Sequence, residues 1–460
     1  MKKFLPTLVL GLLLSVAIGA QPEWMSQTER VRDHAYKSPY AYDLLQRLCH
    51  QVGPRLSGSP GAAAGVEFLR KEMESLGLQV WLQPCKVPHW VRGDERGELL
   101  DYPGKPPGVR APLALSTLGG SSSTGPAGLQ AEVLVVDSFA RLQKLPDEQI
   151  AGKILLFNHP FDEALAAQGQ GGEAYGQAVG YRVEGPRAAS QRGALACLVR
   201  SVGGANYRLP HTGSTVFGEA RPIPAAAIAA EDADRIEYLT RLGPVKLNLL
   251  LTPETLPDAD SFNVIGDLPG TDPEGEIVIV SGHLDSWDVG TGALDDASGV
   301  VTAMQAAHTL GKLGLRPRRT LRVIGWMNEE NGTRGSRTYD AETLGHKHFA
   351  ACESDLGCGH CVGIACWAPD PWLKALAPLS AVLQPLGAGS LRPSQSTGAD
   401  IYPLQARGVA CFAPILDSRT YFHYHHTEAD TVDKVDPMHL SQNAAVVSVL
   451  AWALSNLDRP

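Results

Sequence analysis

Residues 277–299 read I-V-I-V-S-G-H-L-D-S-W-D-V-G-T-G-A-L-D-D-A-S-G. Residues 277–281 have the length and β-branched content of a buried strand. The chain then crosses a polar loop and enters apolar residues 297–313 at helical spacing. A strand with His283 just after it and a helix that begins next to Asp295 form the unit of an α/β fold. In such folds, ligands bind outside the carboxyl ends of the strands.

The same alternation continues downstream. Strands are expected at 320–326, 348–353 and 409–416, and helices at 335–341 and 372–386, with an amphipathic closing helix at 438–457. Upstream, residues 24–85 read as helices, interrupted at Ser59-Pro60-Gly61. A Gly/Pro/Ser-rich zone at 97–128 marks a boundary. Apolar strand candidates follow at 131–138, 152–157, 194–199 and 224–228, and the Gly/Gln-rich residues 168–172 read as a loop. This middle region lacks a cluster of catalytic residue types and reads as a β-rich module that lids or shapes a site. Pro257-Asp-Ala-Asp260 reads as the linker back. The expected organisation is a signal segment at 1–20, a first part of the main domain at 21–95, an inserted module at 96–256 and the rest of the main domain at 257–460.

Metal-type side chains fall at the expected strand ends. His283 follows the first strand, Glu329 and Glu330 end W-M-N-E-E after the second, and Asp355 follows the third. His426 lies in H-H-T-E-A-D-T after the last, and Asp295 starts a helix. Two His and three carboxylates suit a pair of zinc ions. A carboxylate bridges two cations with its two oxygens, and Asp295 occupies a short loop that would hold it stiffly. Adjacent side chains diverge, so one of Glu329 and Glu330 coordinates while the other is free to act as a base in metal-assisted hydrolysis. Asp285 is placed to accept from the second imidazole N–H of His283, and Asp430 to do the same in the His426 loop. His423, His425 and His426 compete for one ligand position. Asp296 suits a helix cap, and His308, on an apolar helix, suits the core.

Bulk properties narrow the classes. The 460 residues suffice for two cores. A 44% hydrophobic, 19% charged chain is globular, and its formal charge of −9 gives no reason to expect nucleic acid or an anionic membrane as partner. Lys2 and Lys3, an apolar run at 8–17, and Gly19-Ala20 follow the plan of a secretory signal, so the mature protein is expected to be secreted or periplasmic and free of the membrane. An exported chain can form disulfides. Four of its eight cysteines lie at 352–366, and they read as a local disulfide or as buried thiols.

At these residues the chain resembles the co-catalytic di-zinc exopeptidases, the aminopeptidases and their relatives. Within them it is most similar to the glutamate-carboxypeptidase branch. The strings that carry the resemblance are S-G-H-L-D-S-W-D-V-G at 281–290, G-L-R-P-R-R-T-L-R at 314–322, E-S-D at 353–355 and H-H-T-E-A-D-T at 425–431. A-E-V-L-V-V at 131–136, G-K-I-L-L-F-N at 152–158 and P-H-T-G at 210–213 resemble a protease-associated domain. The resemblance implies a mixed sheet flanked by helices, with that β-rich domain inserted. It implies two zinc ions: His283 and Asp355 on one, Glu330 and His426 on the other, Asp295 between them, and Glu329 as general base. It also implies a cis peptide between Asp295 and Asp296, a homodimer, and hydrolysis of dipeptides or short peptides. A broad aminopeptidase is the alternative. A non-catalytic receptor-like relative and a one-zinc acyltransferase or cyclase are more distant ones. Asn328 departs from the small or hydrophobic residue many relatives carry before the base. Groups that would read a free amine or carboxylate are sought among Asp400, Tyr402, Arg419, Tyr421 and His425.

Overall fold

The structure, a computed structural model, describes residues 24–204, 206–272 and 275–460. The expected signal segment lies outside them. Two eight-stranded mixed sheets, flanked by helices, organise the chain. In spatial order the first contains Gln79–Val91, Glu254–Leu268, Thr320–Trp326, Ile277–His283, His348–Glu353, Ala410–Leu416, Cys361–Trp367 and Ser390–Pro393. The four strands from Thr320–Trp326 to Ala410–Leu416 run parallel to one another. Antiparallel pairings flank this parallel core on both sides.

All residues of Ile277–His283 are buried, as a parallel strand covered on both faces requires. Val278 and Val280 pack with the helices Ser298–Leu313 and Pro437–Asn456, while Ile277 and Ile279 pack with Tyr339 and Leu404. Asp436 caps the closing helix, accepting from the Met438 N–H at 2.7 Å, and Pro437 fits its first position. This helix is not amphipathic as expected: every residue from Gln442 to Ser455 is buried, because neighbours surround it.

Three other expectations are corrected. Residues 372–386 do not form one helix: Asp370–Leu376, Leu379–Leu383 and a short turn Gln384–Leu386 are separated at Pro378 and Pro385, which interrupt the ladder. Residues 257–260 are not a linker. They belong to the strand Glu254–Leu268, which pairs with Gln79–Val91 in an arm beyond the rest of the sheet. The arm's solvated residues, such as the Lys86–Asp260 ion pair, have the polarity of a loop. Helical reading of residues 24–85 fails at its end, since Cys85 lies in Gln79–Val91.

The second sheet contains, in order, Pro112–Leu113, Glu95–Asp101, Lys246–Leu251, Leu129–Val136, Ile154–Phe157, Ala196–Arg200, Ala225–Ile228 and Leu115–Thr117. All its strands fall between residues 95 and 251 in sequence, and it has apolar clusters of its own. Residues 168–172, expected as a loop, run into the helix Gly171–Val183. All eight cysteines are buried free thiols, the second of the two outcomes expected.

Candidate metal centre

The parallel strands deliver the metal-type residues to one end of the first sheet. His283 is the last residue of its strand. Glu329, Glu330 and Asp355 follow just beyond Trp326 and Glu353. Asp295 sits in the tight turn Ala293–Ala297 ahead of the helix Ser298–Leu313, and its peptide to Asp296 is cis. Gly299 lets this helix approach the strand end, since a Cβ there would overlap the Ser354 carbonyl.

Two sets of donor atoms meet at Asp295. His283 Nε2 lies 3.0 Å from Asp295 Oδ1 and 3.3 Å from Asp355 Oδ1. His426 Nε2 lies 3.2 Å from Asp295 Oδ2 and 3.0 Å from Glu330 Oε2. His425 Nε2 also lies 3.4 Å from Asp295 Oδ2, with its ring stacked on His426 at 3.6 Å. Donors around a tetrahedral zinc, each about 2.0–2.2 Å from it, stand roughly 3.3–3.6 Å apart. The observed separations match or fall just inside that spacing. Asp295 Oδ2 is buried and receives no well-directed hydrogen bond. The residues therefore fit a metal group: two imidazoles and three carboxylates, the central one, Asp295, with one oxygen turned to each side.

Backbone groups set the orientation of these side chains. His283 Nδ1 lies 2.9 Å from the Asp285 carbonyl oxygen, so a proton there leaves Nε2 free as a ligand atom. The expected acceptor was the Asp285 carboxylate, which lies 3.8 Å away. That carboxylate instead accepts the N–H groups of Asn328 at 2.7 Å, Glu329 at 3.1 Å and Glu330 at 3.4 Å. The turn there would otherwise leave buried donors unpaired. Asn328 itself has φ 77°, a conformation Asn tolerates well among non-glycine residues. Asp430 likewise serves a different partner from the one expected. It accepts from the Leu294 and Asp295 N–H groups at 2.7 and 3.1 Å, bracing the Asp295 turn rather than a histidine. Asp296 accepts from the N–H groups of Gly299 and His283, both at 3.0 Å, so it caps the helix and ties it to the strand.

Three contributors escaped sequence reasoning. Arg55 is fully buried and donates to the carbonyls of Gly53, Leu284, Thr291 and Gly292, fastening the loop between His283 and Asp295. His426 Nδ1 lies 3.2 Å from the Thr212 carbonyl oxygen and 3.3 Å from Arg182 Nη1. Both residues belong to the part of the chain that carries the second sheet. Gly213 has φ 143°, and a side chain on it would overlap the Arg182 guanidinium. The only local signal for this contact was the P-H-T-G string, and nothing in it pointed at His426.

The electrostatics favour cations. Burial and then the Asp295 charge push the Glu330 carboxyl up to about 7. Burial and then Asp355 raise that of Glu329 well above the usual carboxylate range. Crowded buried carboxylates shift in this way when no cation offsets them. Of the residues proposed to contact substrate, Tyr421 is buried with its ring 5.2 Å from His425. Asp400 is buried nearby, and its N–H donates to Glu353 at 3.3 Å. Tyr402 is exposed, and Arg419 lies on the surface paired with Asp417, with Nε 2.9 Å from each carboxylate oxygen.

Known proteins resemble this chain in sequence and in fold. The sequence pattern described as peptidase family M28 matches residues 263–451, which hold every ligand candidate. Bovine carboxypeptidase Q is 36% identical over 424 residues, covering 91% of this chain and 86% of its own. The structure of a peptidase M28 precursor from Shewanella amazonensis superposes with a TM-score of 0.87 at 34% identity, over 95% of this chain and 97% of that one. A zinc aminopeptidase from Bacillus subtilis shares the fold, with a TM-score of 0.67 at 20% identity over 92% and 99% of the two chains. With identity at this level sustained over nine tenths of its length, the chain belongs to peptidase family M28.

Proposed function

We propose that this peptidase is an exported di-zinc exopeptidase that hydrolyses dipeptides or short peptides. The observation that carries the reading is Asp295, whose two oxygens face two separate sets of imidazole and carboxylate donors. In this reading His283 and Asp355 hold one zinc, Glu330 and His426 hold the other, and Asp295 bridges. Zinc, when bound, polarises the peptide carbonyl and eases deprotonation of water.

The chain's own residues do the rest. Glu329 shares its backbone anchor with Glu330 through Asp285, and its carboxyl feels the charges of Asp355 and His283, which supports reading it as the base beside the centre. It takes the proton from the attacking water and returns it to the leaving amine. Asp400, Tyr421 and His425, all buried around the centre, are read as the residues that contact substrate. The part of the chain bearing the second sheet is read as a protease-associated module inserted between residues 96 and 256. The first 20 residues are read as a removed signal, so the mature enzyme is read as secreted or periplasmic; the resemblance adds a homodimer.

The test combines a metal count with one substitution. Two zinc ions per chain, both retained in Glu329→Gln with kcat reduced about 10²–10⁴-fold, are expected. One zinc per chain, or a fully active Gln variant, overturns the reading. Substrate polarity is decided by a dipeptide offered free, N-acetylated and C-amidated. Loss of cleavage on amidation is expected. Cleavage of the amidated form with rejection of the acetylated one establishes the alternative, a broad aminopeptidase.

A further inference from the structure

A cavity of about 500 Å³ opens beside Asp355. Ala365, Ala413 and Ile415 of the first sheet form its apolar floor, and Gly169 borders it from the other part of the chain. Its charged lining consists of Glu353, Asp355 and Arg392. Two of these are already engaged. The Glu353 carboxylate accepts from the N–H groups of Asp400 at 3.3 Å and Ile401 at 3.0 Å, and Asp355 faces His283. Arg392 differs. Its Nε donates to Ser390 Oγ at 2.7 Å, and among the described residues its two terminal nitrogens have no partner.

The sheet fixes where this free guanidinium stands. Cys352 pairs with Phe412, which pairs with Cys366, and on the next row Ala413, Ala365 and Arg392 lie side by side. Arg392 is therefore three strand spacings, about 14 Å, from the strand that leads to Asp355. Arg392 and Asp355 line the same cavity. A peptide extends by at most about 3.3–3.6 Å per residue, so a group on a bound substrate residue falls between the two. A planar fork of unpaired N–H donors over an apolar floor matches a carboxylate in shape and charge.

We propose that Arg392 is a specificity-determining residue that binds a carboxylate of the substrate, either the terminal carboxylate or that of an acidic side chain. The proposal rests on the di-zinc reading of Asp355 and its neighbours. It also moves the search for a carboxylate reader from Arg419, which Asp417 already occupies, to the edge strand.

The test measures kcat/KM of wild type, Arg392→Gln and Arg392→Lys on Ala-Glu, Ala-Gln and their C-amidated forms. Arg392 is exposed on an edge strand, so the variants fold. Arg392→Gln is expected to lose between about 10-fold and 100-fold on carboxylates that the guanidinium reads, the span typical of a charge-assisted hydrogen bond. The doubly neutral amide, where wild type cleaves it, should change by less than about 2-fold. Arg392→Lys should recover part of the loss. A fall on Ala-Glu and Ala-Gln alike assigns the terminal carboxylate, and a fall confined to peptides with the Glu side chain assigns that one. Equal rates for wild type and Arg392→Gln on every peptide, or an equal fall on all four, overturn the proposal. Wild-type turnover that persists undiminished in Glu329→Gln would instead remove the di-zinc reading, whatever Arg392 does.

Discussion

The two sheets meet at one site and contribute different kinds of atoms. Every metal-type side chain of the centre comes from the ends of the first sheet's parallel strands or from the loops that leave them. Among the described residues, the part bearing the second sheet sends a carbonyl, a guanidinium, a hydroxyl, backbone N–H groups and the His211 imidazole. Thr212 presents its carbonyl to His426, and its N–H donates to the His426 carbonyl at 2.9 Å. Ser214 Oγ donates to the Glu330 carbonyl at 2.9 Å, and His211 Nδ1 lies 2.8 Å from that of His425. One region supplies the chemistry, and the other holds the loop on which half of that chemistry rides.

The comparison breaks most severely where both donor sets share an atom group. Asp295→Ala removes the bridge while sparing the fold's core. Neither site should then hold zinc at the affinity of the wild type, and activity should fall by at least as much as in Glu329→Gln, about 10²–10⁴-fold or more. Metal content after dialysis checks this. Retention of both ions at full occupancy would mean that Asp295 is not the shared ligand.

A smaller effect is expected from the other region. Arg182→Met removes a guanidinium that touches His426, Thr212 and Tyr175, where its Nη2 donates to the hydroxyl at 2.7 Å. Loss of such an outer partner typically weakens metal affinity about 10–100-fold. Chelator competition should show one ion released early and the other held as in wild type, because His283 has its own partner in the Asp285 carbonyl. If both ions leave together, or neither leaves sooner, the second region does not tune the His426 side. Asp430→Asn gives the complementary cut from within the first region. It keeps the shape but weakens the acceptor for the Leu294 and Asp295 N–H groups. If Asp295 is the proposed bridge, this variant should loosen both ions at once.

Legibility in the sequence follows the same division. The strand ends were readable because the chemistry needs particular side chains, and His283, Asp295, Glu329, Glu330, Asp355 and His426 are conspicuous types at regular places. The parallel core was readable because its buried strands are mostly apolar, Arg322 being an exception paired with Asp267. What could not be read was work done by backbone. Asp285 and Asp430 were noticed as carboxylates but matched to histidines, when turns full of unpaired N–H groups were the stronger demand. The Thr212 carbonyl is a group every residue owns, so no letter marks it. Arg55 lies far in sequence from three of its four carbonyl acceptors, those of Leu284, Thr291 and Gly292. The edge arm at Glu254–Leu268 looked like a linker because its first residues face water while its backbone pairs with Gln79–Val91.

The mildest prediction concerns a residue that sequence favoured and geometry does not. Arg419 was attractive as a cation near the last strand. In the fold its guanidinium is bound to Asp417 two residues away, and the pair is solvent-exposed. An exposed ion pair contributes about 0–1 kcal/mol, and a guanidinium already neutralised offers little to a substrate. Arg419→Ala should therefore shift thermal stability only slightly and leave kcat/KM within about 2-fold on every dipeptide. Arg392, with its terminal nitrogens unpaired, should not share this indifference. A large, carboxylate-selective loss in Arg419→Ala would show that the Asp417 pair opens when substrate arrives. The site's selectivity would then lie in the loop after the last strand rather than along the sheet edge.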